Sequence, residues 1–367
     1  MRAGSPLAYD LDAVNVGQRV RIFGSLAGTA MAASGPADVI RLQPTFVFGY
    51  ATGAPVAGLL TLDVARIGLL DESAFTWSGS GSNPPDPAAF TVDAAGLVGG
   101  LAINTAHELG HKNSRIEKLL AKLVLAVPAY GHFTIDHNLG HHRNVSTPGD
   151  PASARMGESI YKFAAREIPG ALKEAWTIER DRLQRRERAV WHPSNQILQS
   201  YYLTALLNIA LIAWLGWVIV PFLLLHHASA YWQLTSANYV EHYGLLREQD
   251  ENGNYERCQP RHSWNSNHVF SNLVLFHLER HSDHHANPLR RYQALRHFDD
   301  APQLPNGYFG VYLLAYVPAL WFRVMDKRLL ALGHVKGDLD KVNICPDARA
   351  AIFLKYGKDK MIEPTLS

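Results

Sequence analysis

Residues 203–225 read LTALLNIALIAWLGWVIVPFLLL, and Asp, Glu, Lys and Arg are absent from the whole stretch between Ala189 and Val240. A helix of about 20 apolar residues crosses the roughly 30 Å of hydrocarbon in a bilayer. The stretch therefore predicts a membrane crossing, or a helical hairpin that is broken near Pro221. A buried helix of a large soluble protein is the alternative, although such helices usually carry a charge on their wet side.

A second uncharged run lies between Asp300 and Arg323. Tyr312 and Trp321 fall inside it, and Lys327 and Arg328 follow shortly after its end. Aromatic rings and cations collect where a helix leaves the hydrocarbon, so these side chains predict an interfacial anchor with a positive flank.

Composition narrows the class of protein further. Lys and Arg number 35 and Asp and Glu 33, a formal net charge of +2 in 367 residues, which is too balanced for a wide basic field that binds nucleic acid. The two cysteines, Cys258 and Cys345, are isolated from each other. A disulfide scaffold, a thiolate zinc site and an iron–sulfur cluster are therefore not expected.

Histidine is unusually frequent, with 18 residues, and many of these are clustered. Three short boxes contain them: HELGH at 107–111, HNLGHH at 137–142 and HSDHH at 281–285. A spacing of four places two imidazoles on one helix face, close enough to share a metal ion. Adjacent histidines, by contrast, point about 100° apart around a helix.

Eight histidines in three boxes exceed the three or four protein ligands that a zinc ion takes, so two metal ions are expected. Imidazole suits iron, copper, nickel and zinc, and the boxes alone leave the metal open. The first box also satisfies the HExxH pattern of zinc proteases, in which Glu108 would be the general base.

The text around these boxes resembles the integral-membrane alkane 1-monooxygenases, the non-haem di-iron alkane hydroxylases within the fatty acid desaturase and hydroxylase superfamily. The resemblance extends from about Gly96 to Gly357. It rests on NTAHELGHK (104–112), the second box with its long downstream text (131–159), NYVEHYGL (238–245), NYERCQPRHSWNSN (254–267), LERHSDHHANPLRRYQALR (278–296) and LWFRVMDKR (320–328).

The resemblance implies nine histidine ligands for two iron ions, and all nine are present. They are His107, His111, His137, His141, His142, His242, His281, His284 and His285. One iron is predicted to be bound by His107, His111, His137 and His281, and the other by the remaining five. His262 lies in a similar motif but is not among the predicted ligands.

The implied activity is oxygen-dependent terminal hydroxylation of alkanes to 1-alkanols. Electrons would come from rubredoxin, which an NADH-dependent rubredoxin reductase reduces in turn. The implied location is the bacterial inner membrane, with several crossings, contact with membrane lipid and an active site that faces the cytoplasm. A membrane lipid desaturase with the same irons is one alternative, and a zinc metalloprotease that uses only the first box is another. A non-enzymatic membrane protein that stores iron is the third.

Several charged residues have two interpretations. Glu108, Asp136, Glu241 and Asp283 lie beside predicted ligands and would either orient imidazoles or sit on ordinary helix surfaces. The segment from Glu179 to Arg188, with Lys112, Arg115, Lys118 and Lys122, is either a docking face for the acidic electron donor or a positive-inside topology signal.

We therefore expect an all-α, integral membrane helical bundle with a cytosolic helical cap that carries the histidine boxes. Residues 1–90 form an N-terminal region without an interpretable signature, residues 91–330 the membrane-embedded hydroxylase domain, and residues 331–367 a cytosolic tail.

Overall fold

The computed structural model describes the backbone of residues 59–62, 75–78 and 87–357, and side chains from Gly99 onward. Most of the predicted N-terminal region, residues 1–90, therefore lies outside the described residues. Two short strands, β1 (Leu59–Leu62) and β2 (Phe75–Ser78), pair antiparallel, with Leu59 opposite Ser78 and Leu62 opposite Phe75.

From Pro87 onward the chain is helical, as the all-α prediction required, and β1 and β2 are a departure from that prediction. The α-helices are α1 (Pro87–Gly110), α2 (Arg115–Ala126), α3 (Phe133–Ile135), α4 (His142–Asn144), α5 (Ile160–Gln184), α6 (Gln196–Leu215), α7 (Val220–His242), α8 (Val269–Val274), α9 (His281–Ala286), α10 (Tyr308–Ala315), α11 (Pro318–Leu330) and α12 (Arg349–Tyr356). A π-helix, Asp136–His141, joins α3 to α4.

These elements belong to two compact units. One contains β1, β2, the first residues of α1 and the segment Leu211–Leu225. The other contains Val98–Ala210 and the chain from His226 on, and it includes all three histidine boxes.

The uncharged stretch forms two helices with the break close to the predicted position. Gly216, at φ +79°, ends α6, and a short 3₁₀ turn leads into α7, whose second residue is Pro221. By length and composition, α6 qualifies as a membrane span. Only 17% of its apolar window is buried inside the protein, and Ile209 is 63% exposed, which favours a lipid-facing helix over the core helix of a soluble protein.

The second uncharged run does not form one straight helix. Pro318 begins α11 after α10 has ended, and the two helix axes differ by 118°. Trp321 is fully buried in the main hydrophobic core instead of lying at an interface, so the predicted anchoring role was wrong for this ring. Its neighbours there are the rings of Tyr239 and Tyr243, at 5.1 and 5.2 Å.

This core fixes the end of α7, where the NYVEHYGL motif lies. Trp264 donates its backbone N–H to the Glu241 carbonyl at 2.8 Å and its indole N–H to the Tyr243 carbonyl at 2.9 Å. Val335, Leu339 and Ile352 belong to the same core, so the segment predicted as a cytosolic tail packs against α7 and α11 over much of its length.

A partly buried ion pair holds the loop after the second box against α5. The Arg166 guanidinium binds the Glu158 carboxylate through two hydrogen bonds of 2.8 Å and also donates to the carbonyls of Pro151 and Ser153. Glu158 is 1% exposed, and a two-point Arg–carboxylate contact of this kind fixes orientation as well as distance. Arg166 thus ties the loop to α5 at three residues, Pro151, Ser153 and Glu158.

Two glycines with positive φ, one just after α7 and one in the following loop, separate the cost of backbone strain from the cost of a clash in the core. Gly244 has φ +72°, and a Cβ there would lie 2.2 Å from Leu329 Cδ2, whereas Gly253 has φ +79° with open space around it. We expect Gly253→Ala to lower the free energy of unfolding by about 1 kcal/mol and Gly244→Ala by about 2–4 kcal/mol, because only the second adds a core clash. Thermal unfolding midpoints of the two variants check this, and equal shifts would contradict it.

Candidate metal centre

The nine predicted ligands meet in two groups inside the second compact unit. In each group, one candidate ligand atom per residue lies within 4.8 Å of the corresponding atom of every other member. The five-histidine group contains His107, His111, His137, His142 and His284. The four-histidine group contains His141, His242, His281 and His285.

The first box behaves as a regular helix predicts. His107 and His111 lie one turn apart at the end of α1, with ring centroids 4.9 Å apart, and both belong to the five-histidine group. The His107 Nε2 atom lies 2.9 Å from His284 Nε2, so this end of α1 faces α9 directly.

The second box follows a different spacing because Asp136–His141 is a π-helix. Its wider turn brings residues five apart onto one side, and His142 Nε2 lies 3.1 Å from His137 Nε2. His141 then turns to the four-histidine group, where its ring centroid lies 4.9 Å from those of His242 and His285.

The third box divides between the groups within α9. His281 and His285, four residues apart, have Nε2 atoms 2.9 Å apart in the four-histidine group. His284, the neighbour of His285, points around the helix to the five-histidine group, where its Nε2 lies 3.1 Å from His142 Nε2. A single turn of helix therefore contributes to both groups.

His242 completes the four-histidine group from the end of α7. Its Nε2 lies 3.2 Å from His281 Nε2, and its Nδ1–H donates to the His262 carbonyl at 3.2 Å. His262, which is not among the predicted ligands, contacts Glu256 and is in neither group.

The predicted partition into sets of four and five keeps its numbers but not its membership. The prediction places His281 with the first box and His142 and His284 in the other set. In the structure, His142 and His284 lie with the first box, and His281 lies in the other group. The physical reason is the helix geometry. A π-turn pairs His137 with His142, and the spacing of four pairs His281 with His285.

Burial makes these rings suitable as ligands. Loss of solvent lowers the pKa of His111 to about 3 and holds the pKa of His107, His137 and His284 well below the usual range for histidine. Neutral imidazole is the form that binds a metal, so these rings are ready to do so at neutral pH.

Asp150 is a functional residue that sequence reasoning missed. Its Oδ2 accepts a hydrogen bond from His141 Nδ1–H at 2.9 Å and another from Ser153 Oγ at 2.6 Å. Although burial opposes a charged ring, the Asp150 carboxylate raises the pKa of His141. Such a contact fixes the tautomer that leaves Nε2 free for a metal. The spacing of residues along the sequence does not predict this role for Asp150. The chain folds back towards His141 in a turn that is closed by a hydrogen bond from the Asp150 N–H to the Thr147 carbonyl.

Of the four carboxylates predicted beside ligands, one reaches a histidine. Glu241 Oε2 lies 3.3 Å from His281 Nε2, while its Oε1 accepts from the Tyr308 hydroxyl at 2.9 Å. Glu108 instead pairs with Lys112 at 2.9 Å. Asp283 binds Arg290 and Arg296, and Asp136 Oδ1 has no partner among the described residues.

The donor set fits transition metals. His111 Nε2 and His141 Nε2 are buried and have no hydrogen-bond partner in the described part of the chain, and both rings lie in the two groups. Buried ring nitrogens without partners are costly, and a cation satisfies them. Nine imidazoles and a nearby carboxylate suit iron, copper, nickel or zinc better than magnesium or calcium.

The family model for fatty acid desaturases matches residues 87–316, which include all nine histidines. The chain belongs to the fatty acid desaturase family. This family and the alkane monooxygenases are membrane enzymes.

Curated relatives narrow the similarity within the family. Alkane 1-monooxygenase 1 of Alcanivorax borkumensis is 56% identical over 263 residues, which cover 71% of this chain and 64% of that protein. Alkane 1-monooxygenase of Acinetobacter baylyi is 47% identical over 262 residues, with the same coverage of 71% and 64%. The hydroxylase component XylM of the xylene/toluene monooxygenase of Pseudomonas putida is 29% identical over 251 residues, 67% of this chain and 65% of XylM.

The chain thus spans 64–65% of the length of these relatives. The part that the family model matches includes the whole region from the first histidine box to the third.

Removal of the Asp150 charge tests the four-histidine group. We expect Asp150→Asn to weaken metal binding at one of two sites about 10- to 100-fold, because His141 loses its charged partner. Chelator competition followed by metal analysis measures this. Asp326→Asn is the matched control, since Asp326 is also buried but accepts from Tyr243 and Tyr356. Equal metal retention in both variants would contradict the assignment.

Proposed function

We propose that the protein hydroxylates the terminal methyl group of alkanes with O2, giving 1-alkanols. Two iron ions would bind to the five-histidine and four-histidine groups, and rubredoxin would supply the electrons. The convergence of nine imidazoles, eight of them buried and His142 partly buried, on two points is the observation that carries this proposal. Identity of 47–56% to enzymes named alkane 1-monooxygenase supports the choice of reaction.

The substrate explains why metals are required. A terminal methyl group has no charge and no hydrogen-bonding atom, so acid–base or nucleophilic catalysis has nothing to act on. Iron, when bound, supplies the activation of O2 that breaks a strong C–H bond. The protein's own residues hold the ions, keep water out and orient the rings; His284 and His285 are 2% and 7% exposed, and Asp150 fixes His141.

The first box does not support a protease. The Glu108 carboxylate binds Lys112 and lies 3.4 Å from the Tyr292 backbone N–H, whereas a general base would face a metal-bound water. His107 and His111 share their group with three histidines from the other boxes, so the motif is part of a larger centre.

We propose several crossings of the bacterial inner membrane, with the metal centre on the cytoplasmic side. The apolar, largely exposed surface of α6 supports contact with lipid. An exposed apolar face on α2, made by Ile116, Leu119, Leu120 and Leu123, also suits lipid, and Lys118 lies beside it.

Rubredoxin would dock on a basic surface near the end of α5. Glu179 and Arg182 form a partly buried ion pair and are structural. Arg185 and Arg186 follow the helix end, are exposed, and have no ion pair among the described residues. These two cations are therefore available to an acidic protein.

Metal analysis and product identification test the reaction. We expect two iron ions per chain and 1-decanol from decane when the purified protein receives O2 and reduced rubredoxin. Formation of an alkene would indicate a desaturase, and one zinc ion without oxygen consumption would indicate a protease. Either result would overturn the proposal.

Charge reversal tests the docking surface. We expect Arg185→Glu with Arg186→Glu to raise the KM for rubredoxin about tenfold and to reduce the salt dependence of turnover, because an attractive contact becomes repulsive. Decane binding stays unchanged. Arg257→Glu, another exposed arginine without an ion pair in the described residues, is the control. Unchanged KM in the double variant would remove these residues from the docking surface.

A further inference from the structure

A small cavity lies beside the five-histidine group. His107 and His284 line it together with Asn104, Phe276, Leu278 and Leu295, and Glu108 and Tyr292 complete the lining. Its volume is about 10 Å³, which is room for one water-sized group. Whatever occupies the cavity therefore lies next to two rings whose Nε2 atoms are 2.9 Å apart and face the metal position.

Asn104 gives this cavity a hydrogen-bond donor. It lies on α1 three residues before His107, so both side chains are on the same helix face. Asn104 is only 6% exposed, and its Nδ2 has no hydrogen-bond partner among the described residues. A buried amide group without a partner is costly, and in a cavity wall it points to a ligand with an acceptor atom.

Three apolar side chains, Phe276, Leu278 and Leu295, also line the cavity, and the backbone at Phe276 is strained. Phe276 and His277 have φ of +52° and +55°, a region that residues other than glycine rarely adopt. Hydrogen bonds maintain the conformation: His277 N–H donates to the Asn272 carbonyl at 2.8 Å, and His277 Nδ1–H donates to the Tyr292 carbonyl at 3.0 Å. The Phe276 ring, 5.1 Å from that of Tyr292, is thereby fixed against the cavity.

From these features we infer that the cavity, which we term the Asn104 niche, binds the reacting end of the carbon chain. The inference rests on the proposed function. Since the niche has room for one water-sized group, it holds either the terminal methyl group of the alkane, in contact with Phe276, Leu278 and Leu295, or the hydroxyl oxygen of the alcohol, to which Asn104 Nδ2–H donates. An alkane offers no acceptor, so Asn104 distinguishes the product from the substrate.

Equilibrium binding without turnover tests this role. Iron-loaded protein in lipid nanodiscs, without O2 or reductant, is titrated with labelled 1-decanol and labelled decane, with empty nanodiscs as the blank. We expect Asn104→Leu to weaken 1-decanol binding about twofold to tenfold and to leave decane binding unchanged, because one hydrogen bond is lost and the volume is kept. Asn104→Ser, which retains a hydroxyl donor, gives an intermediate ratio.

Asn343 provides a matched control. It is 3% exposed and its Nδ2 also lacks a partner among the described residues, but it does not line the niche. Asn343→Leu keeps the wild-type ratio of the two affinities. If Asn104→Leu and Asn104→Ser both keep that ratio as well, the proposed role of the niche in binding the alcohol is wrong.

The outcome is separable from the proposed function. Wild-type protein that makes 1-decanol from decane, combined with unchanged ratios in both Asn104 variants, overturns the niche alone. Failure of the wild-type protein to make 1-decanol overturns the proposed function and the inference together.

Discussion

Neutral imidazoles do not normally point their ring nitrogens at one another. In this protein the Nε2 atoms of His107 and His284 are 2.9 Å apart, and those of His242 and His281 are 3.2 Å apart. Lone pairs at such distances repel unless a proton or a cation lies between them, and burial makes protonation unfavourable. The facing ring nitrogens therefore favour the binding of a metal ion. Until an ion binds, the surrounding packing must hold the rings in place against their mutual repulsion.

The packing does so from several directions. Trp264 ties the end of α7 to the core, Arg166 and Glu158 clamp the loop that presents Asp150, and Arg247 donates from its guanidinium to the Arg143 carbonyl beside the second box. The Arg247–Arg143 contact joins segments that are 104 residues apart in sequence, and the Trp264–Tyr243 contact joins residues 21 apart. Four separate chain segments can thus keep their imidazoles in place against mutual repulsion.

The sequence was informative wherever helix geometry is regular. A spacing of four places His107 with His111 and His281 with His285, as the structure does, and adjacent histidines point apart in the second and third boxes. The predicted partition was nevertheless wrong in assigning His281 and His285 to different irons and each adjacent pair to one iron. The same rule fails for His137 and His141, which lie in different groups, as in the predicted partition, because histidine spacing does not reveal a π-helix. Asp150 and the niche residue Phe276 could not be found either, since a folded-back loop and an unusual backbone bring them to the site. Hydropathy located the break between α6 and α7 but did not reveal the bend between α10 and α11.

The π-helix in the second box has a consequence for how the centre can change. Relative to an α-helix, its wide turn accommodates one additional residue, and that residue alone sets His137 and His142 on one side and His141 on the other. A deletion of one position, such as the exposed Leu139, would rotate every ring beyond it without altering any histidine. The length of this short segment thus determines which imidazole would bind which ion. A variant that keeps all nine histidines can therefore still lose one of the two sites.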